Sequence, residues 1–224
     1  MRRVSLVMVC GLATDLLLYT LESTLALKLR TSFDFLTSTI GLYFGIFLAA
    51  TVVVGVAGLF FPEKWEKRNL VMAMLWMNFV APLLIGPSRL LRLPDSSLTV
   101  AMGLVLGGST RSLMAAYIIA EGVKGGLAEF AEQQERVGDL VASTHMVGQG
   151  VTLLVCPIIG SALSEWIGFE STMDLEAVLF LVISVVFTVF TVSDLRKERK
   201  EEELASNLLS PNEEEEEEEA PLVH

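Results

Sequence analysis

Histidine and cysteine are scarce in this chain. Its 224 residues include two of each, His145 and His224, Cys10 and Cys156. That is too few for a cluster of imidazole and thiolate ligands, so no metal centre is predicted, and too few for a disulfide framework. Both cysteines fall inside apolar stretches and read as small packing residues. There is no glycine-rich phosphate loop and no hydrolytic motif, so neither an enzymatic activity nor a cofactor is expected. Segments of about ten residues with period-two alternation are missing too, which argues against a transmembrane β-barrel.

What the sequence has in abundance is apolar length. Hydrophobic residues make up 52% of the chain and the mean hydropathy is +0.57. Runs of about 18 to 25 apolar residues recur between short polar breaks, each long enough to cross a hydrocarbon core. Six spans are predicted, at about Val4–Leu27, Ser38–Phe61, Leu70–Pro87, Ser96–Glu121, Asp139–Ile167 and Leu175–Ser193. The fold class expected is an all-α membrane protein. Met1-Arg2-Arg3 before an apolar run has the look of a signal peptide. The run is too long for one, contains Asp15 and lacks a small-residue cleavage pattern, so it reads as a retained span. The second span carries Gly41, Gly45, Gly55 and Gly58, which predicts close helix packing there. Pro82 predicts a kink in the third.

The net charge is −11. Residues 196–224 contribute −7 of it, from four Lys/Arg and eleven Asp/Glu. Glu213–Glu219 is an unbroken glutamate run. Like charges at that density repel, so 196–224 is predicted to be a disordered tail beyond a bundle of residues 1–195. Leu208-Leu209 after Glu203 is a weak sorting-signal pattern. Between the spans, an inside N-terminus would put 11 of the 16 Lys/Arg in the cytoplasm and four, Lys28, Arg30, Arg89 and Arg92, on the far side. Both termini are therefore expected in the cytoplasm. The connection Val123–Arg136 is expected to hold a short surface helix, and Gly168 to Asp174 an outer loop without basic residues.

The first span is the unusual one, because it holds two acids. Asp15 and Glu22 are seven residues apart and lie on one helix face, with Gly11 and Tyr19 one turn either side of Asp15. Charge at membrane depth is costly unless paired or hydrated, so such residues mark functional sites by default. Arg111 lies midway along the fourth span, in Gly107-Gly108-Ser109-Thr110-Arg111-Ser112, at a depth matching Asp15 to within a few Å. Two readings follow for that pair: a structural ion pair fixing the bundle, or a switchable one in which solute or proton competes for the carboxylate. Glu22, about 10 Å further outward, has no obvious partner and is the better proton candidate by sequence. Asn78, Thr144, His145 and Gln149 are lesser polar candidates, expected to hydrogen-bond between helices. His145 and Gln149 share a face. Trp65 and Trp166 sit at span ends as interfacial anchors do, and Trp76 reads as core.

Three stretches resemble the C-terminal six-helix half of a major facilitator superfamily transporter, in the branch of vesicular amine transporters and drug:proton antiporters. Leu21–Leu27 followed by Ile40–Gly45 is similar to the seventh helix of that branch and the start of its eighth. Glu63–Arg68 falls where the short charged loop between helices eight and nine belongs. Pro157–Gly160 and Trp166–Phe169 are similar to the end of helix eleven. Cys156 stands where the family often has glycine, and Arg111 lies in the helix where its amine carriers usually keep an acid. The resemblance implies six helices as a 3+3 inverted repeat and a pathway lined by the first and fourth spans. It also implies a proton-coupled antiporter of a small organic solute such as an amine or drug, in a plasma, vacuolar or vesicle membrane. The expected partners are the lipid bilayer, the solute and protons, and an N-terminal half or a second copy. Nucleic acid is not among them. An alternative reading is a truncated, non-transporting protein that associates with or regulates a full-length transporter.

Overall fold

The computed structural model describes residues 2–61, 67–88, 91–129 and 134–209. Among them the regular elements are six α-helices: α1 (Arg2–Phe33), α2 (Thr37–Gly58), α3 (Lys67–Ile85), α4 (Ser97–Glu129), α5 (Gln134–Ile167) and α6 (Phe169–Leu209). All six are long and apolar enough to cross a membrane. The helix is the natural solution for such segments, because it satisfies every backbone amide and carbonyl within the segment itself.

Two compact units divide the chain, Met1–Val185 and Val186–His224. In the first, α4 packs against α3, α2, α1 and α5, and α1 packs against α5. α1 carries a stripe of buried leucines every four residues, Leu17, Leu21, Leu25 and Leu29. That spacing keeps one helix face toward its neighbours. Most of α1 is covered in consequence: 59% of its most apolar window is buried, against 11% for α2 and 17% for α5.

Most of the helices run several residues beyond their predicted spans at one end or both, because helical hydrogen bonding does not stop where hydropathy does. Glu, Lys, Arg and Ala are good helix formers outside an apolar layer. α1 therefore continues through Lys28 and Arg30 to Phe33. The short surface helix expected within Val123–Arg136 is not a separate element, since α4 runs to Glu129 and α5 starts at Gln134. The outer loop expected over Gly168 to Asp174 shrinks to Gly168, the one residue between α5 and α6. Its φ of +89° suits glycine, which has no Cβ to clash there. Residues 196–209, placed in the disordered tail by sequence, are the helical end of α6. The glutamate run Glu213–Glu219 lies outside the described residues, as does Trp65. Trp76 is exposed rather than core, set edge-to-face against Phe79 with ring centroids 6.3 Å apart. Trp166 is exposed at the end of α5, and both cysteines are free and buried.

The glycines that bring helices together are partly other than those expected. A Cβ at Gly41 or Gly45 of α2 would meet nothing within 4 Å. Gly55 and Gly58 do meet α4, at the Ser112 and Leu113 side chains, and the closest approaches to backbone belong to glycines of α4 itself. A Cβ at Gly108 would fall on the Phe47 carbonyl oxygen, and one at Gly103 would lie 2.8 Å from the Ile85 backbone nitrogen. These are backbone approaches that cannot yield as a side chain can. Gly108→Leu is expected to destabilise the bundle by about 1–3 kcal/mol or more through overpacking. Gly41→Leu should be neutral. Thermal unfolding of the two purified variants in detergent checks both outcomes.

Candidate functional site

Asp15 lies on the covered side of α1, and Arg111 meets it from α4. Arg111 Nη2 lies 3.6 Å from Asp15 Oδ1, and the Asp15 side chain is the deeper of the two, 7% exposed against 25%. The same oxygen accepts a hydrogen bond from Gln149 Nε2 at 3.4 Å. The predicted pairing of the first and fourth spans is thus present, with α5 supplying a third group. Both contacts are long for charge-assisted bonds, which are usually nearer 2.8 Å. The carboxylate is held loosely rather than locked.

The three side chains open onto a cavity of about 280 Å³, lined also by Thr14, Thr51 and His145. His145 is 4% exposed, and its Nδ1 has no hydrogen-bond partner among the described residues. Its imidazole packs on Gly11, where a Cβ would come within 3.2 Å of Cε1. Gly11 is the small residue that sequence placed one turn before Asp15, and it gives the ring its space.

Behind the pair lies a polar brace. Asn78 of α3 is fully buried, and its Nδ2 donates to Thr14 Oγ1 at 3.5 Å. The Thr110 hydroxyl is within hydrogen-bond distance of Asn78 Oδ1 and, at 2.9 Å, of the Gly107 carbonyl. Its single proton serves one acceptor at a time. Thr14 precedes Asp15 and Thr110 precedes Arg111, so Asn78 fixes the register of α1 on α4 at the depth of the ion pair. This is the interhelical role expected for Asn78. It stands behind the cavity rather than in it.

Three predicted residues are elsewhere. Glu22 is on the exposed side of α1, so it is not the buried, uncompensated acid that the sequence suggested. Seven residues advance slightly less than two full turns, and the covering helices do not extend around to it. Tyr19 is half-buried one turn from Asp15 and does not line the cavity. Thr144 is exposed.

Charges counted in loops turn out to close the bundle. Lys28, buried in α1, forms ion pairs with Glu170 at the start of α6 and, at 3.3 Å, with Asp95 in the α3–α4 connection. Arg68 in the first turns of α3 pairs with Glu121 of α4 at 3.6 Å, both largely buried. The sequence also passed over Glu176, which α6 buries to 6% exposure. It stands second in the predicted sixth span and reads there as an edge residue. The apolar neighbours on both sides, Met173 and Ala177–Phe180, were the available signal.

No group of three or more His, Cys, Asp or Glu side chains suited to a metal is present among the described residues. Comparison with protein-family models, with characterised proteins and with solved structures finds no match to this chain.

Proposed function

We propose that this chain is the pathway-lining half of a proton-coupled carrier for small organic cations, such as amines or cationic drugs. The observation that carries the reading is the cavity itself, with an ion pair, an amide and an imidazole whose Nδ1 has no partner among the described residues converging on one space between apolar helices. A structural ion pair alone needs no such space. The six-helix body would lie in a bilayer as a 3+3 inverted repeat, with both termini cytoplasmic by its charge distribution. The largely uncovered helices α2 and α5 provide surface for a second six-helix body, an N-terminal half or another copy, with which access would alternate.

The chemistry follows from charge. The Asp15–Arg111 pair is neutral as a unit, so the cavity accommodates one additional positive charge. A proton on the His145 imidazole supplies it, and so does the head of an organic cation that displaces Arg111 from Asp15. Two such charges a few Å apart in a low-dielectric site repel by several kcal/mol. Proton and solute therefore exclude each other, which is the requirement for exchange. Gln149, anchored on Asp15 Oδ1, keeps the carboxylate oriented while its partner changes.

Acid-loaded membrane vesicles from cells expressing the chain are expected to accumulate ethidium, a permanently charged fluorescent cation, beyond vesicles from control cells. Nigericin, by collapsing the pH gradient, should abolish the excess. Accumulation that ignores nigericin counts against proton-coupled transport, and no excess at all counts against transport by copies of this chain alone.

A further inference from the structure

A second cavity, of about 380 Å³, lies on another face of α1, between α5 and the first turns of α6. Its walls are almost wholly apolar, from Leu16, Ile159, Leu163 and Leu179 among others, and Glu176 is the one ionisable carboxyl lining it. Thr20 and Leu16 come to it from α1, about 140° and 100° around the helix from Asp15, so the two cavities do not share a wall residue. Glu176 is more than nine-tenths buried. Thr20 lines the same wall, and Glu176 Oε2 has no hydrogen-bond partner among the described residues. Among the described residues no lysine, arginine or histidine lines the cavity.

A buried carboxylate without a counter-charge is costly to keep. Here it stands at the wall of a space of ligand size. An occupant that relieves it brings one positive charge to Oε2 and apolar bulk to the leucine and isoleucine walls. It cannot bring a phosphate, for which there is no basic partner. The geometry points to a second binding site at Glu176, taking a lipophilic monoamine: the ammonium on Glu176 Oε2, and the hydrocarbon body against Leu16, Ile159, Leu163 and Leu179. The site is independent of the Asp15 cavity and of whether that cavity transports.

Tritiated imipramine, a lipophilic tertiary amine, and carbamazepine, a neutral tricycle of similar shape, are the probes, with the full chain in phosphatidylcholine nanodiscs. Imipramine is itself an organic cation that the Asp15 cavity would take, so it is expected to bind saturably to the wild type and still to bind saturably at Glu176 in Asp15→Asn. In the Asp15→Asn background, binding should weaken about tenfold or more when Glu176→Gln is added, the loss expected for a charge-assisted contact, and recover in part with Glu176→Asp. Carbamazepine should not compete. Sphingosine, a bilayer-borne amine, should compete if the occupant enters from the membrane; if it enters from water, sphingosine leaves imipramine bound, and either result stands with an ammonium site. Equal imipramine binding by Asp15→Asn with and without Glu176→Gln would overturn the assignment. So would loss of binding in Asp15→Asn alone, or full competition by carbamazepine.

Discussion

Asp15→Asn is expected to reduce gradient-driven ethidium uptake by about ten- to a hundredfold while leaving the bundle folded. The substitution keeps the shape and the acceptor for Gln149 and removes only the negative charge that an organic cation would meet. A hydrogen bond or close contact to a charged group contributes about 1.5–3 kcal/mol, and each 1.36 kcal/mol is a factor of ten. Stability should suffer less than uptake. The partner left behind, Arg111, is one-quarter exposed and can turn its guanidinium toward the cavity. Glu22→Gln should leave uptake near wild type, since Glu22 lies on the exposed side of α1. Initial uptake rates for the two variants at matched expression decide the matter. Equal losses in both, or none in either, would remove Asp15 from the pathway.

Arg111→Gln is expected to have the larger effect on stability. It strands Asp15, the more deeply buried partner, and breaking a buried pair from that side costs about 3–5 kcal/mol. The asymmetry is a consequence of depth: removing the acid leaves a charge that reaches water, and removing the base leaves one that does not. Combining the changes as Asp15→Asn with Arg111→Gln should restore most of the lost stability, because two neutral amides can share the hydrogen bond to Gln149. The double variant should still be inactive in uptake. Thermal unfolding in detergent of both single variants and the double variant yields the coupling energy directly. A double variant no more stable than Arg111→Gln alone would show that the pair is not coupled as its geometry implies.

The six helices were legible in the sequence because apolar length is a one-dimensional signal, and it survived in α1 to α6 with shifted ends. The ends moved because polar residues such as Lys28 and Glu129 propagate a helix as well as apolar ones do. The Asp15–Arg111 pair was legible for a related reason, since equal depth in two spans follows from counting rise per residue. Rotation about the helix axis was harder to read. Glu22 was grouped with Asp15 by a seven-residue spacing, and a few tens of degrees of rotation separate a covered position from an open one. Glu176 was missed for the opposite reason: an acid at the edge of a hydropathy window looks solvated, and its burial beside cavity-lining residues of α1 and α5 is a matter of tertiary packing. Lys28 and Arg68 were counted as loop charges on the same ground. Which glycines matter was equally invisible, because Gly41 and Gly108 differ only in what stands opposite them.

The claim that proton and organic cation are alternatives for one charge in the Asp15 cavity is tested most directly by proton release. Purified protein in weakly buffered, mildly acidic detergent solution is mixed with ethidium, and the bulk pH is followed with an indicator dye. Release of protons that saturates together with ethidium binding, and that is lost in both His145→Gln and Asp15→Asn, is the predicted result. His145→Gln should still bind ethidium and Asp15→Asn should not. Ethidium binding without proton release, or release undiminished in His145→Gln, would contradict the account.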